Sequence, residues 1–128
     1  HAAYAWSLYR RGARNDALGW GLRVAAWGAG VAATRTQPTA AAVAVGGAAV
    51  LTTSAMAGDP ALRTDAGKGM SHGANLLVAA EGLTALRAAL AQHYRGKRKQ
   101  GARLLCAAEA GALAVGHLLL IDGLCRTR

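Results

Sequence analysis

Apolar and polar positions fall in blocks along this chain rather than alternating residue by residue. Four blocks, each about 17 to 22 residues long, are almost wholly apolar or small: Ala17–Ala33, Pro38–Gly58, His72–His93 and Gly101–Asp122. A helix rises about 1.5 Å per residue, so each block is long enough to cross a hydrocarbon core of about 30 Å. No stretch shows the period-two pattern of a strand. The breaks have loop chemistry. "TRTQP" ends on Pro38, which suits a first helical turn. "GDPALRTDAGKGMS" is polar and rich in turn residues, and "YRGKRKQ" sets a glycine among four basic residues. Asp16 is placed to cap the first long helix. The pattern predicts one all-α domain over residues 1–128, a four-helix integral membrane bundle preceded by a short N-terminal interfacial helix in residues 1–16.

Water is the alternative solvent, and a soluble four-helix bundle is the rival fold. Soluble bundle helices need a polar face at helical spacing. The second block has none: around Val43, Val45, Val50 and Leu51 the neighbours are Ala, Gly and Thr. A chain this short lacks the volume to bury two such helices completely. Hydrocarbon resolves the difficulty. Small residues fit the same solvent, because helices in lipid associate through close backbone approach. Gly21, Ala25 and Gly28 form one such row, and Ala108, Ala112 and Gly116 form another.

Charges inside the blocks then need partners. Glu81 and Arg87 are six residues apart, a net rotation of about 240°, so they do not pair on one helix. In an antiparallel bundle, measured from the side holding "TRTQ" and "YRGKRK", Arg23 lies roughly 16 Å deep and Glu81 roughly 18 Å. Arg87 lies roughly 9 Å deep and Glu109 roughly 13 Å. Two cross-helix pairs are expected, Arg23 with Glu81 and Arg87 with Glu109. An unpaired charge at mid-bilayer costs about 2.5–3.5 kcal/mol on insertion scales. Such pairs fix helix register or dock another subunit; a polar path for protons or a lipid headgroup, and ligation of a pigment or metal by Glu81, Glu109 or His117, are the alternatives.

The N-terminal segment sets Tyr4, Trp6 and Tyr9 beside Arg10, Arg11 and Arg14. Aromatic rings next to arginines suit a headgroup layer; they equally suit a surface helix docked on a neighbouring protein. Arg95, Lys97, Arg98 and Lys99 form the densest basic patch and would face anionic lipid or an acidic partner. No nucleic-acid reader motif accompanies them.

Composition narrows the function. The net charge is +9, Ala and Gly dominate, and Phe is absent; codon bias in a GC-rich genome accounts for part of that skew. His1 marks either a processed N-terminus or a cut in a longer protein. Cys106 lies in an apolar run and reads as a small buried residue, and with Cys125 it fits neither a CxxC nor a zinc pattern. Ser7, Ser54 and Ser71 lack a nucleophile elbow, and there is no phosphate-binding glycine loop and no HExxH. The six acids are scattered, and His117 is eight residues from Glu109, too far for a shared metal. No enzyme, metal or cofactor is expected.

At "VAAWGAGVAATRTQPTAAAVAVGG" and "AQHYRGKRKQGARLL" the chain resembles the transmembrane-14, or fatty-acid-export, family of small Gly- and Ala-rich four-helix membrane proteins. The resemblance spans about Gly19 to Leu120 and rests on helix count, loop placement and composition. The second loop is longer here, and the mid-helix charges depart from that family. It implies movement of lipid or fatty acid across an organelle membrane. From the residues themselves the leading expectation is a non-enzymatic accessory subunit of a respiratory or photosynthetic complex, in an organelle inner membrane, mitochondrial before thylakoid. Its partners would be other membrane subunits and anionic lipid, with no nucleic acid. A small lipid transporter and a soluble helical module binding an acidic partner are the alternatives.

Overall fold

The computed structural model describes residues 1–14, 17–38, 40–93 and 99–126. Among them all regular structure is helical: α1 (Ala2–Arg10), α2 (Ala17–Thr34), α3 (Ala40–Ala57), a 3-10 turn (Pro60–Leu62), α4 (Met70–His93) and α5 (Lys99–Arg126). The four long helices coincide with the four apolar blocks. Asp16 and the basic residues Arg95, Lys97 and Arg98 lie outside the described residues, and of Lys99 only the backbone is described.

Contacts fix an up-down-up-down order. Arg23, early in α2, meets Ser54, late in α3, and Asn75, early in α4. Trp27 in α2 donates its indole N–H to the Ala44 carbonyl in α3 at 3.0 Å. Along the α4–α5 hairpin, Met70 packs at Gly123, Gly73 at Gly116 and Thr84 at Glu109. The Gly73–Gly116 crossing is tight: a Cβ on Gly73 would stand 2.7 Å from the Gly116 carbonyl oxygen, and one on Gly116 2.9 Å from that of Gly73. Of the three glycines in the two rows of small residues picked out by spacing, Gly116 makes such an approach, whereas Gly21 and Gly28 face open space.

α1 is stopped by geometry rather than by a proline. Ala13 N–H donates to Leu8 C=O at 3.2 Å and Gly12 N–H to Tyr9 C=O at 3.0 Å. Gly12 has φ +93°, the left-handed conformation that a Schellman stop requires. Leu8 and Ala13, brought together by the stop, are both buried in the core. α1 therefore docks along the bundle. Tyr4 in α1 and Arg11 just beyond it reach His117 and the Leu124 carbonyl of α5. Beyond α3, Asp59 is buried and accepts from the backbone N–H groups of Arg14 (2.6 Å) and Ala61 (2.7 Å), tying the α1–α2 and α3–α4 connections together.

The core lies at one end of the bundle. Leu8, Val50, Leu62, Met70, Leu77 and Leu120 pack there, where α1, α2 and α4 surround the C-terminal half of α3. The other end is thinly packed, and α5 rests chiefly on α4. Cys106, expected to be buried, is exposed on α5 for that reason. Among the described residues, α3 and α5 are the two helices long and apolar enough to cross a membrane; α2 and α4 do not meet that test. Arg23 in α2 and His72, Asn75, Glu81 and Arg87 in α4 lower their apolar character.

Candidate functional site

Two polar seams cross the bundle, one on each side of α4. On the α5 side, Glu109 accepts from the Thr84 hydroxyl at 2.7 Å and pairs with the Arg87 guanidinium, with Nη2 3.1 Å from Oε2. The spacing places Thr84 and Arg87 three residues apart, on one face of α4 toward α5. Glu109 is 15% exposed in its side chain and Arg87 41%, so the acid is the more deeply placed partner. Among the described residues, Arg87 Nε and Glu109 Oε2 are buried without a hydrogen-bond partner, so the 3.1 Å approach is an ion pair rather than a directed hydrogen bond.

On the other side, the Arg23 guanidinium is held by three neutral oxygens. Its Nε donates to Ser54 Oγ at 2.9 Å, one Nη to the Gly19 carbonyl at 2.8 Å and the other to Asn75 Oδ1 at 3.3 Å. Ser54, fully buried, donates to Asn75 Oδ1 at 2.7 Å and completes the network. The expected Arg23–Glu81 pair does not form. Side chains on a helix lean toward its N-terminus, so Arg23 reaches back one turn, to the level of Gly19, Ser54 and Asn75. Six residues, or about 9 Å of helix, separate Asn75 from Glu81.

Between α2, α3 and α4 this offset leaves a cleft of about 140 Å³, open on one side. Trp27, Val43, Leu51 and Val78 form apolar walls, with Arg23 and Glu81 as the charged lining residues. The Trp27 ring is fixed against Gly47, where a Cβ would stand 2.9 Å from its Cδ1. Glu81 has no hydrogen bond or ion pair among the described residues.

No protein-family model, characterised protein or solved structure matches this chain. The site must be judged on its own chemistry. Among the described residues no group of three His, Cys, Asp or Glu side chains is placed to hold a metal ion. Ser54 bonds to Arg23 and Asn75, neither of which is a general base.

The N-terminal aromatics divide. Trp6 and Tyr9 are exposed and stack with ring centroids 6.2 Å apart, whereas Tyr4 turns inward and its hydroxyl meets His117 Nδ1 at 3.0 Å. His1 joins this cluster through Thr53 Oγ1 at 3.2 Å. Tyr4 is thus a packing residue, because position 4 lies on the face of α1 that also carries Leu8. Ser54 enters the sequence analysis only as a nucleophile without an elbow, and Asn75, Thr84 and Gly73 do not enter it. The first three carry the same signal as the charges, a polar side chain inside an apolar block. Gly73 carries no signal in sequence until its opposite number is known.

Proposed function

We propose that this chain is a membrane-embedded helical protein serving, without catalysis, as an accessory subunit of a larger organellar membrane assembly, mitochondrial before thylakoid. One observation carries the reading. α5 is a 28-residue helix whose apolar span is only 11% buried by the rest of the chain, against 33% for α3. A core helix of a soluble protein would be covered by its neighbours; Leu104, Val115, Leu118 and Ile121 are instead exposed. The whole chain exposes 8052 Å², whereas a compact soluble monomer of its mass exposes about 6,300 Å². Apolar surface on this scale calls for lipid or a partner. In the four-span arrangement, α2 and α4 cross as well, with Arg23 and Arg87 held by Ser54, Asn75 and Glu109 rather than by water. The net charge of +9 suits an anionic leaflet or acidic neighbours.

Native electrophoresis of mildly solubilised membranes, followed by mass spectrometry of the band, tests the reading. Comigration with a large complex is the expected result; an isolated small species would refute the subunit role. The second reading, a small lipid or fatty-acid transporter, is favoured by the laterally open cleft and by the resemblance to the transmembrane-14 family. Flux into reconstituted vesicles that Glu81→Gln impairs would select it.

A further inference from the structure

We propose that the cleft between α2, α3 and α4 is a binding site for a small hydrophobic cation, an organic amine bearing an aryl or short alkyl group whose ammonium pairs with Glu81. The size sets the first limit. At about 140 Å³ the cleft is close to an apolar cavity of about 150 Å³ that takes benzene, so it accepts one ring or a short chain. Its walls are set before binding, with Trp27 held by Ala44 and seated on Gly47. Such preorganised apolar walls with few polar groups are what small-ligand sites share.

The charge of the ligand follows from which polar groups are already engaged. All three nitrogens of Arg23 are bonded within the chain. Glu109 is occupied by Thr84 and Arg87. Glu81 alone lines the cleft with a carboxylate that no described residue pairs. An unpaired carboxylate against apolar walls is unfavourable, and a cation bound there offsets the cost. An anion would meet Glu81; three of the five N–H donors of Arg23 are engaged by Gly19, Ser54 and Asn75, and these bonds draw the guanidinium back toward that level, about six residues of α4 from Glu81. A neutral aromatic would fill the walls and leave the carboxylate unsatisfied. The cleft is formed within one chain, so the inference stands apart from what covers α5.

Calorimetric titration of the full chain in detergent micelles, with benzylammonium, benzyl alcohol and benzoate as probes, tests it. Benzylammonium should bind at least tenfold tighter than benzyl alcohol, and benzoate not at all. Glu81→Gln should abolish the preference for the cation. Gly82→Leu should weaken binding while leaving the carboxylate in place, because the space beside Gly82 is open and faces the cleft. Helicity of both variants is checked by circular dichroism. A cation preference that survives Glu81→Gln would overturn the proposal. If that variant does not fold, the three probes on the unaltered chain decide, and equal binding of benzylammonium and benzyl alcohol overturns it.

Discussion

Gly73 and Gly116 meet backbone to backbone where α4 crosses α5, and each lacks the room for a Cβ. The obstructing atoms include main-chain oxygens, which do not move aside as a flexible side chain would. Gly116→Val should therefore force the helices apart, costing about 1–3 kcal/mol. Thermal unfolding in mild detergent, followed by helicity, measures it. Gly111→Val on the same helix, where a Cβ meets open space, is the control and should leave the midpoint nearly unchanged.

Arg87 and Glu109 should show coupling in a double-mutant cycle. Because Arg87 is 41% exposed, solvent screens the pair, and a coupling of about 0.5–1 kcal/mol is expected from Arg87→Met, Glu109→Gln and the double variant. Thr84→Val should add to the loss caused by Arg87→Met, since Thr84 holds the other oxygen of Glu109. Strict additivity of Arg87→Met and Glu109→Gln would show that the pair contributes nothing.

Ser54→Ala removes one atom that serves two partners, Arg23 Nε and Asn75 Oδ1. The residue is fully buried, so the groups left behind have no ready substitute, and a loss of about 1–3 kcal/mol is expected. Thr52→Ala, in which the hydroxyl merely back-bonds to Ala48 within α3, should cost much less. Equal losses would mean that the cross-helix network is not stabilising.

Cys106 distinguishes lipid from water around α5. It is exposed on the isolated chain, so a soluble protein would be labelled there promptly by a charged, water-soluble maleimide. In intact membranes the same reagent should leave Cys106 unmodified, and unfolding in denaturant should restore labelling. Prompt modification before unfolding would place this part of α5 in water.

Four helices and their order were legible in the blocks of apolar residues, because block length and loop chemistry are local properties. The Arg87–Glu109 contact was legible from depth alone, since α4 and α5 form one direct hairpin and equal depth there means proximity. Equal depth misled for Arg23 and Glu81, where the backward lean of the arginine and three neutral oxygens decided the outcome. Tyr4 was read with Trp6 and Tyr9 as one interfacial set, yet the helical period turns position 4 toward the core and leaves 6 and 9 outside. The Schellman stop at Gly12 needs only "RRGAR" and the buried Leu8, but in sequence that glycine is indistinguishable from the other sixteen.

Carbonate extraction of native membranes tests most directly whether hydrocarbon surrounds the uncovered faces of α3 and α5. The chain should remain in the membrane pellet at high pH, alongside an integral marker protein. Release into the supernatant would contradict a membrane-spanning arrangement and leave the exposed apolar surface to be covered by protein alone.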